Sequence, residues 1–316
     1  MQRILVIRGG AIGDFVLTLP AIKLLRDNFP ASHIEILGYK HIVSLAERRF
    51  YADATRSIES AALASFFAKA AELPSELADY FASFDLIVSY LFDPDKIFET
   101  NLRRCGVETL LFGSPKISDD AHAATQLARP LKDLGLTLQT PSARIFPSAT
   151  DRQSARSFVK SSATPMFALH PGSGGATKNW PLRSWRSLGE QLLASGTARL
   201  LLVIGGEADR DGLAAMKGLH DARVLFAENL PLPQLAAALE GCAMFIGHDS
   251  GISHIAAAVE IPCVLLFGPT DPAVWGPANA NVRVCRATSR LLADITSAEV
   301  QQAARALLQA RGEFMS

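Results

Sequence analysis

Five loops of this chain combine glycine with ionisable or hydroxyl side chains in patterns suited to handling phosphates and sugars. The first is Arg8-Gly9-Gly10-Ala11-Ile12-Gly13-Asp14. Glycine lets a backbone turn sharply and approach a ligand closely, and the helix start that follows favours negative charge. Asp14 then reads in two ways: as a first-turn carboxylate complementing the helix dipole, or as a general base aimed at a reacting hydroxyl. A dinucleotide fingerprint needs G-x-G-x-x-G, yet Arg8 occupies its first glycine. The segment Leu37-Gly38-Tyr39-Lys40 also lacks the acid that would hold a ribose, so a nicotinamide oxidoreductase is not expected.

The second loop, His170-Pro171-Gly172-Ser173-Gly174-Gly175-Ala176-Thr177-Lys178-Asn179-Trp180-Pro181, offers backbone and hydroxyl donors plus the point charge of Lys178. That inventory suits a phosphate group. It is not a Walker A loop, because Asn179 follows the lysine. The third, Gly205-Gly206-Glu207-Ala208-Asp209, supplies a carboxylate that either accepts the hydroxyls of a ribose or caps the next helix. In the fourth, Gly247-His248-Asp249-Ser250-Gly251-Ile252-Ser253-His254, Ser250 is placed as an N-cap that leaves free N–H groups at a helix start. His254 follows one turn later on the same face, and Asp249 is placed to accept sugar hydroxyl hydrogens. The fifth, Phe267-Gly268-Pro269-Thr270-Asp271-Pro272, is explained as well by turn chemistry as by a pocket wall. Asp93-Pro94-Asp95 resembles a D-x-D metal motif but reads better as a helix cap. No G-x-S-x-G elbow exists to support a serine hydrolase.

These loops need scaffolds that place them together. Short apolar runs alternate with helical stretches from end to end, the pattern of parallel βαβ units. Strands are expected at 3–8, 33–38, 85–90 and 108–112, with helices at 14–28, 41–49, 60–83, 94–104 and 119–134. After a proline-bearing linker at 137–149, strands follow at 166–170, 199–204, 223–226, 243–247 and 262–267. Helices at 150–161, 182–195, 207–219, 231–240, 251–259 and 296–311 complete the scheme. Two doubly wound halves of similar size place a cleft between them, and ligands in such sheets gather at the carboxyl ends of the strands.

With 316 residues the chain suits two domains. Basic and acidic residues number 31 each, so no net charge draws it to nucleic acid. Hydrophobic residues at 49% and charged residues at 20% support well-filled cores and exclude disorder. No apolar run approaches a membrane span. Ile4-Leu5-Val6-Ile7 is too short and too soon interrupted for a signal peptide. Cys105, Cys242, Cys263 and Cys285 are scattered, as fits reduced thiols in a cytoplasmic protein.

In order along the chain, I-L-V-I-R-G-G-A-I-G-D, H-P-G-S…K-N-W-P, G-G-E-x-D, D-S-G-x-S-H and F-G-P-T-D-P resemble the ADP-heptose heptosyltransferases, glycosyltransferase family 9. The resemblance covers nearly the whole chain. It implies a GT-B fold with an acceptor-binding domain over 1–149, a nucleotide-sugar-binding domain over 150–295, and a helix in 296–316 returning to pack on the first domain. It also implies inverting transfer of a heptose or related sugar from an ADP-sugar to a lipopolysaccharide core, with no metal and no cofactor. By position Asp14 matches the family's general base and Lys178 its phosphate-binding lysine. Gly13, Gly172, Ser173, Asp249, Ser250, Gly251 and His254 match donor-binding positions. The ribose carboxylate is Glu207 or Asp209, with Glu207 preferred, and Leu230 matches an adenine contact. Arg103, Arg104, Lys116, His122 and Arg144 are candidates for an anionic acceptor. Peripheral contact with the cytoplasmic face of the inner membrane is expected, because lipid-linked acceptors lie there. A GT-B sugar-nucleotide epimerase and a non-catalytic sugar-nucleotide binder remain as alternatives.

Overall fold

The computed structural model describes residues 1–156 and 165–310, which divide into two compact units, 1–141 and 142–316. In the first unit the chain runs β1 (Arg3–Arg8), α1 (Ile12–Asn28), β2 (His33–Gly38), α2 (Lys40–Val43), β3 (Ala54–Ser57), α3 (Ser75–Ala82), β4 (Leu86–Ser89), α4 (Ile97–Arg104), β5 (Leu110–Phe112) and α5 (Ala123–Leu127). The five strands form one parallel sheet in the order β3-β2-β1-β4-β5. Ile4 to Ile7 of β1 are fully buried, as a strand covered on both faces requires. An aromatic knot packs one face, with Phe66 against Phe81 at 4.9 Å and Phe67 stacked on Phe98 at 4.8 Å.

Several expected helices are shorter than the apolar pattern suggested. The stretch 60–83 breaks into a 3₁₀ turn at Ala61–Phe67 and α3, with Pro74 between them and Ala70 in the left-handed region. Likewise 119–134 is α5 followed by a 3₁₀ turn at Arg129–Leu134, because Pro130 lacks the N–H that would continue the helix.

The second unit comprises α6 (Ala149–Ala155), β6 (Met166–His170), α7 (Leu182–Ala194), β7 (Leu200–Gly205), α8 (Arg210–Lys217), β8 (Val224–Glu228), α9 (Leu232–Glu240), β9 (Met244–His248), α10 (Gly251–Ala258), β10 (Cys263–Phe267), α11 (Pro272–Trp275), β11 (Val282–Arg286) and α12 (Ser297–Ala310). Its six parallel strands are ordered β11-β10-β9-β6-β7-β8. The final part of the helix expected at 150–161 lies outside the described residues.

One domain boundary shifts. Residues 142–149 belong to the second unit rather than the first. There the Ile145 N–H donates to the Ala258 carbonyl and the Ser142 hydroxyl to the Ala278 carbonyl, while Asn279 Nδ2 donates to the Ala143 carbonyl. The described part of the C-terminal helix, α12, contributes Val300, Ala303, Ala304 and Leu308 to the second unit's core, alongside α7, β10 and β11. Among the described residues no helix is long and apolar enough to cross a membrane. All four cysteines are free thiols. Burial pushes Cys242 up to about 12 and Cys285 up to about 11, so both stay protonated.

Candidate functional site

In the first sheet the strand order reverses between β1 and β4, and such switch points are where doubly wound sheets take ligands. A cavity of about 470 Å³ opens there, lined by Arg8, Gly10, Asp14, Tyr39, Glu59, Tyr90 and Phe92 among others. Asp14 sits in the first turn of α1 and its side chain is 32% exposed. Its Oδ2 accepts the Ala11 N–H at 2.9 Å, and Oδ1 lies 3.5 Å from Arg8 Nη2. Gly10 makes this possible: its φ is +95°, and a Cβ there would meet Asp14 Oδ2 at 2.7 Å.

Arg8, read from the sequence only as a missing glycine, anchors the site. Its side chain is 3% exposed, its Nε donates to Thr18 Oγ1 at 3.0 Å, and its guanidinium lies over the Tyr90 ring. Burial pulls the guanidinium below the usual arginine range, and the charge of Asp14 opposes that pull. A buried cation therefore fixes a half-exposed carboxylate at the cavity wall. Of the five candidate acceptor cations only Lys116 adjoins this cavity, over the Phe92 ring at 4.5 Å. Arg103 and Arg104 are engaged on and around α4, and His122 caps α5. Arg144 pairs with Glu260 within the second unit. Asp93 accepts the N–H groups of Ile97 and Glu99, so it caps α4 as expected.

The second sheet reverses between β6 and β9, and four strand-end loops meet there. Lys178 Nζ donates to Asp249 Oδ2 at 2.5 Å, and the Thr270 hydroxyl donates to the same oxygen at 2.7 Å. Ser250 caps α10, its Oγ accepting the Ser253 N–H at 3.4 Å. The same Oγ lies 3.4 Å from His170 Nδ1, and His170 Nε2 lies 3.4 Å from Asp209 Oδ2. Burial raises the Asp209 pKa, but the His170 ring and the Gly206 N–H outweigh it and hold the carboxyl below the usual range. Gly172 permits that approach, since a Cβ there would fall 1.7 Å from Asp209 Oδ1. The N–H groups of the first turn of α10 lack intrahelical acceptors and favour an anion.

His248 is fully buried and joins both ends of the Lys178 loop. Its Nε2 accepts the Trp180 N–H at 2.8 Å, so the hydrogen of this neutral ring lies on Nδ1, which donates to the Gly172 carbonyl at 3.1 Å. Burial lowers its pKa to about 4.

The structure thus brings Lys178, Asp249, Ser250, Gly251 and His254 to one strand tip region, with Gly172 and Ser173 in the adjoining loop. The Ser173 hydroxyl turns inward onto the Gly175 carbonyl. Asp209 is tied into the protein, whereas Glu207 is exposed and makes no ion pair or side-chain hydrogen bond among the described residues. Leu230 is half-buried just past the end of β8, beside the β7 tip. Gly13 lies in the first turn of α1, in the other unit. Sequence reasoning missed His170, His248 and Thr270 as partners. Their one signal was position, at or just beyond strand ends flanking the switch point. Among the described residues no group of three or more His, Cys, Asp or Glu is arranged to hold a metal ion.

Comparison with known proteins identifies the family and the fold. The family model described as glycosyltransferase family 9 (heptosyltransferase) matches residues 102–303. The chain is 36% identical over 113 residues to lipopolysaccharide heptosyltransferase 1 of Pseudomonas aeruginosa, a match spanning 35% of this chain but 31% of that protein. To lipopolysaccharide heptosyltransferase 3 of Escherichia coli it is 24% identical over 299 residues, covering 85% of this chain and 84% of the relative. The E. coli ADP-heptose lps heptosyltransferase II structure superimposes with a TM-score of 0.79 at 21% identity, covering 99% of this chain and 100% of that one. The fold class is therefore the two-domain GT-B class that the motifs implied. With more than half its length matched, the chain belongs to glycosyltransferase family 9, the heptosyltransferases.

Proposed function

We propose that the protein transfers a heptose from an ADP-sugar to a lipopolysaccharide-core acceptor with inversion, Asp14 serving as general base. One observation carries the donor half of this reading. Loops from β6, β9 and β10 converge on a lysine–carboxylate–hydroxyl cluster, Lys178, Asp249 and Thr270, beside the open N-terminus of α10. In this reading Lys178 and the first N–H groups of α10 take the diphosphate, and Asp249 takes sugar hydroxyls. Glu207, free at the tip of β7, takes the ribose, and Leu230 at the tip of β8 flanks the adenine.

The acceptor half rests on Asp14, whose carboxylate is fixed by a backbone N–H and a buried arginine at the wall of a cavity. Exposed Tyr39 and Phe92 in that wall suit the apolar face of a sugar ring. The step is one displacement: the acceptor oxygen bonds to the anomeric carbon, the bond to the diphosphate breaks, and the hydroxyl proton passes to Asp14. Charge gathering on the leaving diphosphate is met by Lys178 and the helix start. Peripheral contact with the inner membrane's cytoplasmic face belongs to the same proposal, as the place where such acceptors are presented.

The test is transfer from ADP-heptose to a panel of truncated lipopolysaccharides, with donor alone as the control for epimerisation. Asp14→Asn should lose roughly 10²–10⁴-fold in turnover and keep its ADP affinity. Absence of transfer to every acceptor, or near-normal turnover of Asp14→Asn, would refute the reading.

A further inference from the structure

The hydrogens of the cluster behind the proposed diphosphate site are fully committed while His170 is neutral. His170 is 3% exposed and stands between two partners. On one side Nε2 faces the ionised Asp209 at 3.4 Å, so the ring's hydrogen belongs there and Nδ1 carries a bare lone pair. On the other side Nδ1 faces Ser250 Oγ at 3.4 Å, which itself lies 3.1 Å from Ser253 Oγ. The single hydroxyl hydrogen of Ser253 goes to the His248 carbonyl. Ser250 already accepts the Ser253 N–H. The hydrogen of Ser250 is therefore the one donor facing Nδ1, and no other hydroxyl hydrogen of the trio is free to replace it.

A ligand upsets this balance. Ser250 is the half-buried cap of α10, where a phosphate oxygen would meet the helix start. To donate to that oxygen, Ser250 must turn its hydrogen away from His170. The buried Nδ1 lone pair then has no donor, a state costly in a low-dielectric setting. A proton from solvent on Nδ1 cures this: the ring donates to Ser250 Oγ, Ser250 donates to the ligand, and Asp209 balances the new cation. We infer that binding of a diphosphate at this site drives uptake of one proton by His170, so that Asp209, His170 and Ser250 act as a chain placing positive charge behind the phosphate. The inference rests on the donor reading given above, and His170 is a positioning residue because it reaches the ligand only through Ser250.

Of the surrounding ionisable groups, His248, Lys178, Asp249 and Asp209 are already committed. His248 is held neutral by its two backbone bonds. Lys178 and Asp249 neutralise each other at 2.5 Å. Asp209 is held ionised. His254, one turn along α10, is the remaining imidazole and is controlled for by comparing variants.

The experiment is calorimetric titration with ADP across about pH 6.5 to 8.5, in buffers of differing ionisation enthalpy. Affinity of the unaltered protein should fall as pH rises, approaching tenfold per unit where the ring is neutral in the free protein and charged in the complex. Heats should report net proton uptake. His170→Gln should bind ADP with that slope and that uptake removed, any protonation of ADP itself being common to both proteins. Asp209→Asn, which keeps the imidazole but removes its counter-charge, should move the sloping window to lower pH. It serves as the readout if the glutamine variant does not fold. Failure of the unaltered protein to bind ADP would sink the donor reading. Binding with no proton uptake, or uptake that persists in His170→Gln, would overturn this inference and leave that reading standing.

Discussion

Acidification should destabilise the second unit through His248 well before its carboxylates protonate. The imidazole is fully buried, accepts the Trp180 N–H and has its pKa lowered to about 4. In the unfolded chain it titrates near the ordinary histidine value of about 6.5. The folded state therefore binds the proton less readily, so this contribution is complete above about pH 6.5 and is lost as pH falls toward 4. Between pH 7.5 and pH 5 the linkage amounts to about 2 kcal/mol, with the carboxylates still largely ionised. The chain has three tryptophans, Trp180, Trp185 and Trp275, and all lie in the second unit, so their fluorescence follows that unit selectively. Trp185 also stands edge-on to the His248 ring at 5.1 Å. Urea denaturation read by tryptophan emission should show the loss in the unaltered protein. In His248→Gln it should be absent, against a lower stability at neutral pH. Equal pH-dependent losses in the two proteins would refute the linkage and, with it, the assignment of His248 as the neutral pin of the Lys178 loop.

Three other outcomes follow from the same geometry. Lys178→Ala should weaken ADP binding by roughly ten- to a hundredfold, the worth of a hydrogen bond to a charged group; unchanged affinity by calorimetry would remove Lys178 from the diphosphate site. Gly172→Ala would thrust a methyl group to 1.7 Å from Asp209 Oδ1 and should cost the second unit about 1–3 kcal/mol while loosening ADP, whereas a fully stable variant with normal ADP affinity would contradict the packing at that turn. Transfer should persist in EDTA, and loss restored only by a divalent cation would require a metal role that the proposed step does not contain.

The strand tips were legible because a buried parallel strand announces itself as an apolar run ended by glycine, and the chemistry follows directly after. Lys178, Asp249 and Ser250 were found that way, each in its own loop. Their convergence depends on strand order, which places β6 beside β9, and no local pattern carries it. Two edge strands escaped notice for a related reason. β3 is four half-buried residues, and β11, Val282–Arg286, interleaves arginines with apolar residues because an edge strand is only partly covered. The ends of 60–83 and 119–134 were misjudged where Pro74 and Pro130 outweighed helical periodicity. The boundary at 137–149 was placed late, since what assigns 142–149 to the second unit is a set of bonds to Ala258, Ala278 and Asn279, far along the chain. His248 was passed over because a histidine at a strand end gives no hint, in one dimension, of the two backbone groups it joins.

The pairing of Lys178 with Asp249 bears on selectivity. An anion arriving alone must pull the ammonium from a carboxylate 2.5 Å away and leave that carboxylate, 10% exposed, short of a donor. An anion without a hydrogen to donate, such as sulfate, has nothing to offer in exchange, so its gain is largely cancelled. A molecule carrying both a phosphate and neighbouring hydroxyls replaces the lost partner on each side at once. Under the proposed donor reading, the resting ion pair would act as a filter, favouring polyol phosphates over anions that bring no hydroxyl donors.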